Sequence, residues 1–187
     1  MRKVIMLFLL FMALTVKGQD FGIRTNLVPY ADLTPNIGVE LALDRLNTLG
    51  ANGGIRPWKR EEDKVNKYWY GNVEYRHYFC HAFNGWYVGG QVNGAQFNIG
   101  GKKLPFGALS FLENKRYEGW LVGGGILAGY SVILSEHWNL DFNVGAGYEY
   151  IKYKAFESPL KCAEQIEDND YHYFGPNDLS ISFQYVF

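Results

Sequence analysis

Apolar and polar residues alternate with a period of two along most of the chain, which is the pattern of a β-strand with two different faces. The clearest stretch is 138–150. One face carries Trp138, Leu140, Phe142, Val144, Ala146, Tyr148 and Tyr150, and the other carries Asn139, Asp141, Asn143, Gly145, Gly147 and Glu149. Soluble strands usually have about 5–6 residues, whereas a tilted strand that crosses a bilayer needs roughly 9–11. The length of this alternation therefore favours a membrane-spanning strand.

The same pattern, weaker in places, predicts eight strands. Their predicted ranges are 21–30, 37–44, 48–57, 68–80, 85–98, 117–134, 137–152 and 178–187. Pro29 lacks an amide donor, so it predicts a bulge or the end of the first strand. The pattern predicts no helix.

After the first connection, which is short at 31–36, the connections between these strands alternate in length. The second, fourth and sixth are short, at 44–47, 80–85 and 135–137, and the third, fifth and seventh are longer, at 58–67, 99–116 and 153–177. Short periplasmic turns and longer external loops are the arrangement of outer-membrane barrels. The predicted fold is therefore all-β, an eight-stranded antiparallel transmembrane β-barrel with both termini in the periplasm.

The last strand ends the chain on an aromatic residue. Phe187 follows Tyr185 and Phe183 on the apolar face of the strand. This resembles the terminal signal that the outer-membrane assembly machinery recognises, and it predicts that machinery as a partner. The alternative is an ordinary amphipathic edge strand that happens to end in phenylalanine.

The first eighteen residues have the composition of a signal peptide. Arg2 and Lys3 precede an uncharged apolar run at 4–16, and Gly18 precedes the expected cleavage site. A helix of this run would span about 20 Å, too short for the roughly 30 Å of a bilayer core. We expect residues 1–18 to be a signal peptide, residues 19–187 to be the barrel domain, and the cell outer membrane to be its location.

Composition excludes several classes of protein. Aromatic residues make up 17% of the chain, as interfacial girdles of a barrel require. Removal of Arg2, Lys3 and Lys17 leaves 15 basic against 19 acidic side chains, so nucleic acid is not an expected partner. The only cysteines, Cys80 and Cys162, are predicted at opposite ends of the barrel, too far apart for a disulfide.

Polar residues opposite the aromatic face should line the lumen. They are Arg24, Glu40, Arg56, Glu74, Arg76, Gln91, Asn93, Asp141, Asn143, Glu149 and Gln184. A barrel of eight strands is just wide enough for side chains to fill it, and buried charges must be paired. We expect Glu74, Arg76, Asp141 and Glu149 to point inward, with pairs among them and to Arg24 or Arg56. A pore is the alternative.

Histidines are the candidates for catalysis. His77, His81 and His137 are predicted on the lipid side or in periplasmic turns, whereas His172 is predicted in an external loop close to Asp168 and Asp170. That loop also holds Glu157, Glu164 and Glu167, which we interpret as a solvated surface. We expect no catalytic, cofactor or metal site. The alternatives are an outer-membrane lipid-modifying enzyme of the acyltransferase or deacylase type, and a soluble lipocalin-like barrel.

Four segments carry a resemblance to a known family. These are 75–85 (Tyr-Arg-His-Tyr-Phe-Cys-His-Ala-Phe-Asn-Gly), 117–120 (Tyr-Glu-Gly-Trp), 137–140 (His-Trp-Asn-Leu) and 173–176 (Tyr-Phe-Gly-Pro). They resemble the family called domain of unknown function 3575 over most of 20–187. The resemblance implies a small outer-membrane barrel, often encoded beside fimbrial genes, and it brings no catalytic residues.

The sequence therefore predicts a non-enzymatic outer-membrane barrel. The resemblance implies an accessory or structural role in fimbrial or other cell-surface assembly. The expected partners are outer-membrane lipid and lipopolysaccharide, the assembly machinery, and fimbrial or surface proteins.

Overall fold

The chain forms a closed antiparallel β-barrel of eight strands. The computed structural model describes residues 21–58, 65–100, 115–157 and 165–187, so the expected signal peptide lies outside the described residues. The strands are β1 (Phe21–Asn26), β2 (Asn36–Ala42), β3 (Asn47–Arg56), β4 (Val65–Tyr78), β5 (Gly85–Gly100), β6 (Arg116–Ile133), β7 (Trp138–Phe156) and β8 (Gln165–Val186). Each strand pairs with the next, and β8 pairs with β1. This confirms the predicted all-β fold, strand number and antiparallel pairing.

The barrel has two different ends. The beginning of β1, the end of β8 and the short β2–β3, β4–β5 and β6–β7 connections lie at one end, which we call the turn end. We call the opposite end the loop end. In the β2–β3 turn, Asp44 Oδ1 accepts the backbone N–H groups of Leu46 at 2.8 Å and Asn47 at 2.9 Å. The side chain of Asn47 also donates to this carboxylate, which lowers the pKa of Asp44 below its ordinary value.

The first strand is shorter than predicted. β1 ends at Asn26, and a 3₁₀ helix at Val28–Asp32 begins the connection to β2. Pro29, predicted to mark a bulge or the end of the first strand, lies in this helix beyond the end of β1, and the expectation of no helix is wrong for this single short turn. Proline suits the first turn of a helix because its fixed φ is helical and no N–H is needed there.

The seventh connection was predicted as a loop over 153–177, and this is wrong for most of the range. β7 continues to Phe156 and β8 begins at Gln165, with the two strands paired throughout. The segment lacks the apolar alternation that indicates a strand because both of its faces are largely exposed. No helix of the described residues is long and apolar enough to cross a membrane.

The two faces of the barrel wall have opposite character. Large apolar side chains cover the outside, for example Ile126, which is 76% exposed, and Trp69, which is 51% exposed. Charged and amide side chains fill the inside. Glycine makes room for the larger of them: a Cβ at Gly129 would collide with the hydroxyl group of Tyr87 and with the backbone oxygen of Phe142. The predicted assignment of faces is therefore correct.

Candidate functional site

A cluster of two arginines and three carboxylates occupies the middle of the lumen. Arg76 lies at its centre, with Nη1 3.4 Å from Glu40 Oε2 and 3.3 Å from Asp141 Oδ2, and Nη2 3.1 Å from Glu74 Oε1. Arg24 Nη1 lies 3.2 Å from Glu40 Oε2, and Arg24 also pairs with Glu74. All five side chains are almost completely buried. Each charge therefore depends on its neighbours for the solvation that water would otherwise supply.

Hydroxyl and amide donors complete the cluster from further strands. Glu40 accepts hydrogen bonds from Thr48 Oγ1 at 2.6 Å, Tyr78 OH at 3.1 Å and Gln184 Nε2 at 3.1 Å. Tyr87 OH donates to Asp141 Oδ1 at 3.0 Å, and the Tyr87 ring stacks on the Arg76 guanidinium. We call the five charged residues and these four donors the ionic cluster. Every strand except β6 contributes to it, so it joins opposite sides of the wall.

The β4–β5 turn closes the lumen at the turn end. Phe83 is 4% exposed and adopts a left-handed backbone conformation with φ of 65°. Its carbonyl oxygen accepts hydrogen bonds from Ser131 Oγ at 3.0 Å and Asn139 Nδ2 at 2.9 Å. Ala82 and Val186 pack against Phe83. This plug is not among the features predicted from the sequence, although a phenylalanine within a short polar turn is a signal for it.

A polar cavity of about 320 Å³ lies between the ionic cluster and the loop end. Asn143, Asn177 and Asp178 line its β7 and β8 side, and Asn72 and Gln91 line its β4 and β5 side. Amide groups thus dominate this part of the lumen. A cavity of this size holds several water molecules or one small polar molecule.

The amides around the cavity form a directed chain of hydrogen bonds. Glu149 Oε1 accepts from Asn177 Nδ2 at 2.9 Å, which fixes Asn177 Oδ1 as the acceptor for Gln91 Nε2 at 3.3 Å. Gln91 Oε1 accepts in turn from Asn72 Nδ2 at 3.3 Å. Glu149 also accepts from Asn93 Nδ2 at 2.8 Å. A carboxylate can only accept, so it sets the orientation of every amide in the chain.

The predicted lumen residues all face inward. Asn93 is partly buried and the other ten are buried, namely Arg24, Glu40, Arg56, Glu74, Arg76, Gln91, Asp141, Asn143, Glu149 and Gln184. The predicted ion pairs are confirmed for Arg24, Glu74, Arg76 and Asp141. Glu149 is different, because its described partners are amides. Arg56 lies 3.8 Å from Asp32 of the 3₁₀ helix and donates to the backbone oxygen of Asn66 at 2.9 Å.

The candidate histidines do not share a site with the ionic cluster. His172 lies on the outside of β8 toward the loop end, where Nδ1 contacts Tyr148 OH and Nε2 lies 3.3 Å from Asp170 Oδ2. The ring of His137 packs at a tilt against the ring of Tyr185 at the turn end. No group of three metal-binding side chains occurs in the part of the chain that the structure describes. Cys162 and Glu164 lie outside that part.

Comparison with known proteins supports the resemblance found in the sequence. The family model described as "Protein of unknown function (DUF3575)" matches residues 4–187, nearly the whole chain. No curated protein matches the chain. Because the match includes every described strand, the chain belongs to this family of proteins of unknown function.

Proposed function

We propose that this protein is a non-enzymatic integral barrel of the bacterial outer membrane that serves fimbrial or other cell-surface assembly at its loop end. One observation carries the membrane part of the proposal, namely the inverted polarity of the barrel. The largest fully buried side chains include Arg56, Arg76, Gln184 and Glu40. The large apolar side chains are on the outside, where water would penalise them and hydrocarbon would not.

The outer surface also carries two aromatic bands. Trp86 packs on Tyr130 and Trp138 on Phe183 toward the turn end, and Trp120 packs on Tyr150 toward the loop end. Val39, Val73, Val92, Val122, Ile126, Val144 and Leu179 lie between the bands. At about 3.4 Å per residue and a tilt of about 40°, the strand from Trp138 to Tyr150 rises about 31 Å, enough to place the roughly 25 Å apolar band of outer-membrane barrels between the two aromatic bands.

The arrangement argues against a lipocalin-like barrel. Such a protein holds its ligand in an apolar lumen and presents polar side chains to water. Here the ionic cluster fills the middle of the lumen, amide side chains line the cavity beyond it, and Phe83 closes the turn end. These features support a structural barrel and also disfavour an open pore.

The membrane proposal makes a direct prediction. The purified protein should migrate faster on a gel when it is not heated than when it is boiled, because a closed barrel resists SDS. It should also fractionate with the outer membrane. Identical migration of both samples, with recovery in the soluble periplasmic fraction, would instead support the lipocalin-like alternative.

The non-enzymatic part of the proposal is supported by the surroundings of His172. Its side chain is 58% exposed and that of Asp170 is 55% exposed. Tyr148, whose hydroxyl group contacts Nδ1 of His172, is 46% exposed. A group this accessible to solvent is not desolvated or enclosed as the groups of an acyl-transfer site usually are. We interpret the three side chains as polar members of the aromatic band toward the loop end.

We expect deletion of the gene to reduce surface fimbriae and to leave lipid A unchanged. Mass spectrometry of lipid A detects the gain or loss of one acyl chain, and electron microscopy counts fimbriae. Complementation with His172→Ala should restore fimbriae fully. An acyl-chain difference that His172→Ala abolishes would show instead that the protein is a lipid-modifying enzyme.

A further inference from the structure

β8 extends far beyond the strand that closes the barrel. β1 pairs with β8 only from Ser182 to Val186, and the last bond joins the Leu27 N–H to the Ile181 oxygen at 2.7 Å. On its other side, β8 remains paired with β7 as far as Gln165. We call residues 165–174 the β8 edge. Among the described residues, this segment has a neighbouring strand on one side only.

The register indicates which backbone groups face away from β7. Ile181 directs its N–H and its oxygen toward β1, and these directions alternate along an antiparallel strand. The bulge after Gly145 pairs Ala146 with Pro176. Beyond it, the alternation assigns the outward N–H and C=O groups of the edge to Asp168, Asp170, His172 and Phe174. Unpaired groups in this arrangement are a template for an added strand.

The charge of the β8 edge indicates the kind of strand that fits. It contains Glu167, Asp168 and Asp170 and no lysine or arginine. Two of these carboxylates have basic partners on the side away from the open edge. Lys115, just before β6, places Nζ 3.5 Å from Glu167 Oε1, and Lys154 on β7 places Nζ 3.9 Å from Asp168 Oδ2. An antiparallel pair of two such edges would bring acidic residues together, which is destabilising. The charges therefore disfavour a second copy of this chain and favour a basic segment.

Aromatic side chains flank the β8 edge on both faces. Phe174 is 84% exposed on the outer face, and Tyr171 is 55% exposed on the face toward the barrel axis. An added strand would place successive side chains beside these two faces in turn. Apolar or β-branched residues between the basic ones would pack on the rings, because such pairs stabilise neighbouring strands.

We propose that the β8 edge binds an extended basic segment of another cell-surface protein as an added β-strand. The proposal rests on the proposed function, since it needs the loop end to be exposed at the cell surface. It gives the assembly role a physical basis: backbone hydrogen bonds supply affinity, and the acidic and aromatic side chains select the segment.

The test uses the full barrel in detergent and a fluorescent peptide of about ten residues that alternates lysine with valine. His172→Pro removes an outward N–H and should weaken binding by about tenfold or more. His172→Ala is the matched control, because it keeps that N–H and should bind within about twofold of the original. Asp168→Asn with Asp170→Asn should weaken binding and reduce its dependence on salt.

A second peptide distinguishes strand addition from simple charge attraction. It has the same number of lysines but carries two adjacent prolines near its centre, so in either register one proline lacks the N–H that would face the β8 edge. Equal binding of both peptides, or equal binding by His172→Pro and His172→Ala, would overturn the proposal. The heat-dependent gel shift is recorded for every variant. A normal shift without peptide binding contradicts the edge proposal alone, whereas no shift in the unmodified chain contradicts the membrane barrel.

Discussion

Replacement of Arg76 by leucine is expected to destabilise the barrel by about 3–5 kcal/mol, the usual cost of breaking a buried ion pair by removing one partner. Arg76 contacts Glu40, Glu74 and Asp141, all nearly inaccessible to solvent. Without it, three carboxylates share Arg24 as their nearest cation in the ionic cluster. The free energy of unfolding is measured from guanidinium titrations of the barrel in detergent, with the gel shift reporting the folded fraction.

Two further variants make this experiment specific. Arg45→Leu removes the same charge at an exposed position of the β2–β3 turn and should change stability by no more than about 0.5 kcal/mol. Adding Asp141→Asn to Arg76→Leu should recover part of the loss, because one unpaired carboxylate becomes a neutral amide. Equal losses for Arg76→Leu and Arg45→Leu would show that the ionic cluster does not stabilise the barrel.

Replacement of Phe83 by alanine is expected to cost about 3–5 kcal/mol, as for other large buried side chains. Phe83→Gly removes the same ring and also the buried Cβ that alanine retains. It should nevertheless be less destabilising than Phe83→Ala by about 1 kcal/mol, because φ is 65° at this position and glycine adopts that conformation without strain. The usual order of alanine and glycine is thereby reversed.

The same unfolding measurement tests the plug. Phe79→Ala is the matched control, since Phe79 lies nearby but is 60% exposed on the outside. In detergent it should cost much less than Phe83→Ala. If glycine were the worse substitution at position 83, or if Phe79→Ala had an equal effect, the role assigned to the conformation and burial of Phe83 would be wrong.

The alternation of residues was sufficient to predict the strands of the barrel wall and the direction of their side chains. It succeeded because each wall position faces one of two different environments, so Asp141 and Phe142 could be assigned without a structure. It failed for 165–177, where β8 has no sharp contrast between its faces. There the strand is held by backbone pairing with β7, which leaves no periodic signal in the side chains.

The candidate site was predicted in composition but not in arrangement. The pairing of Arg76 with Asp141 joins β4 to β7 across the lumen, and a strand pattern alone contains no information on distances across a barrel. The plug at Phe83 depends on a left-handed residue in a turn, which local sequence does not specify. Asp178, interpreted as the beginning of the last strand, contributes to the cavity through its hydrogen bond to Asn143.

The ionic cluster has a consequence for how the barrel forms. Arg76 on β4 can reach Asp141 on β7 only when the sheet has curled, and Gln184 on β8 reaches Glu40 on β2 only across the seam between β8 and β1. In the outer membrane that we propose for this barrel, a flat or half-closed sheet would expose these charges to hydrocarbon, at a cost of several kcal/mol each. Incomplete sheets would then be too unstable to accumulate. We therefore expect seam closure and membrane insertion to be one cooperative step, in which the first and last strands meet before the charges leave water.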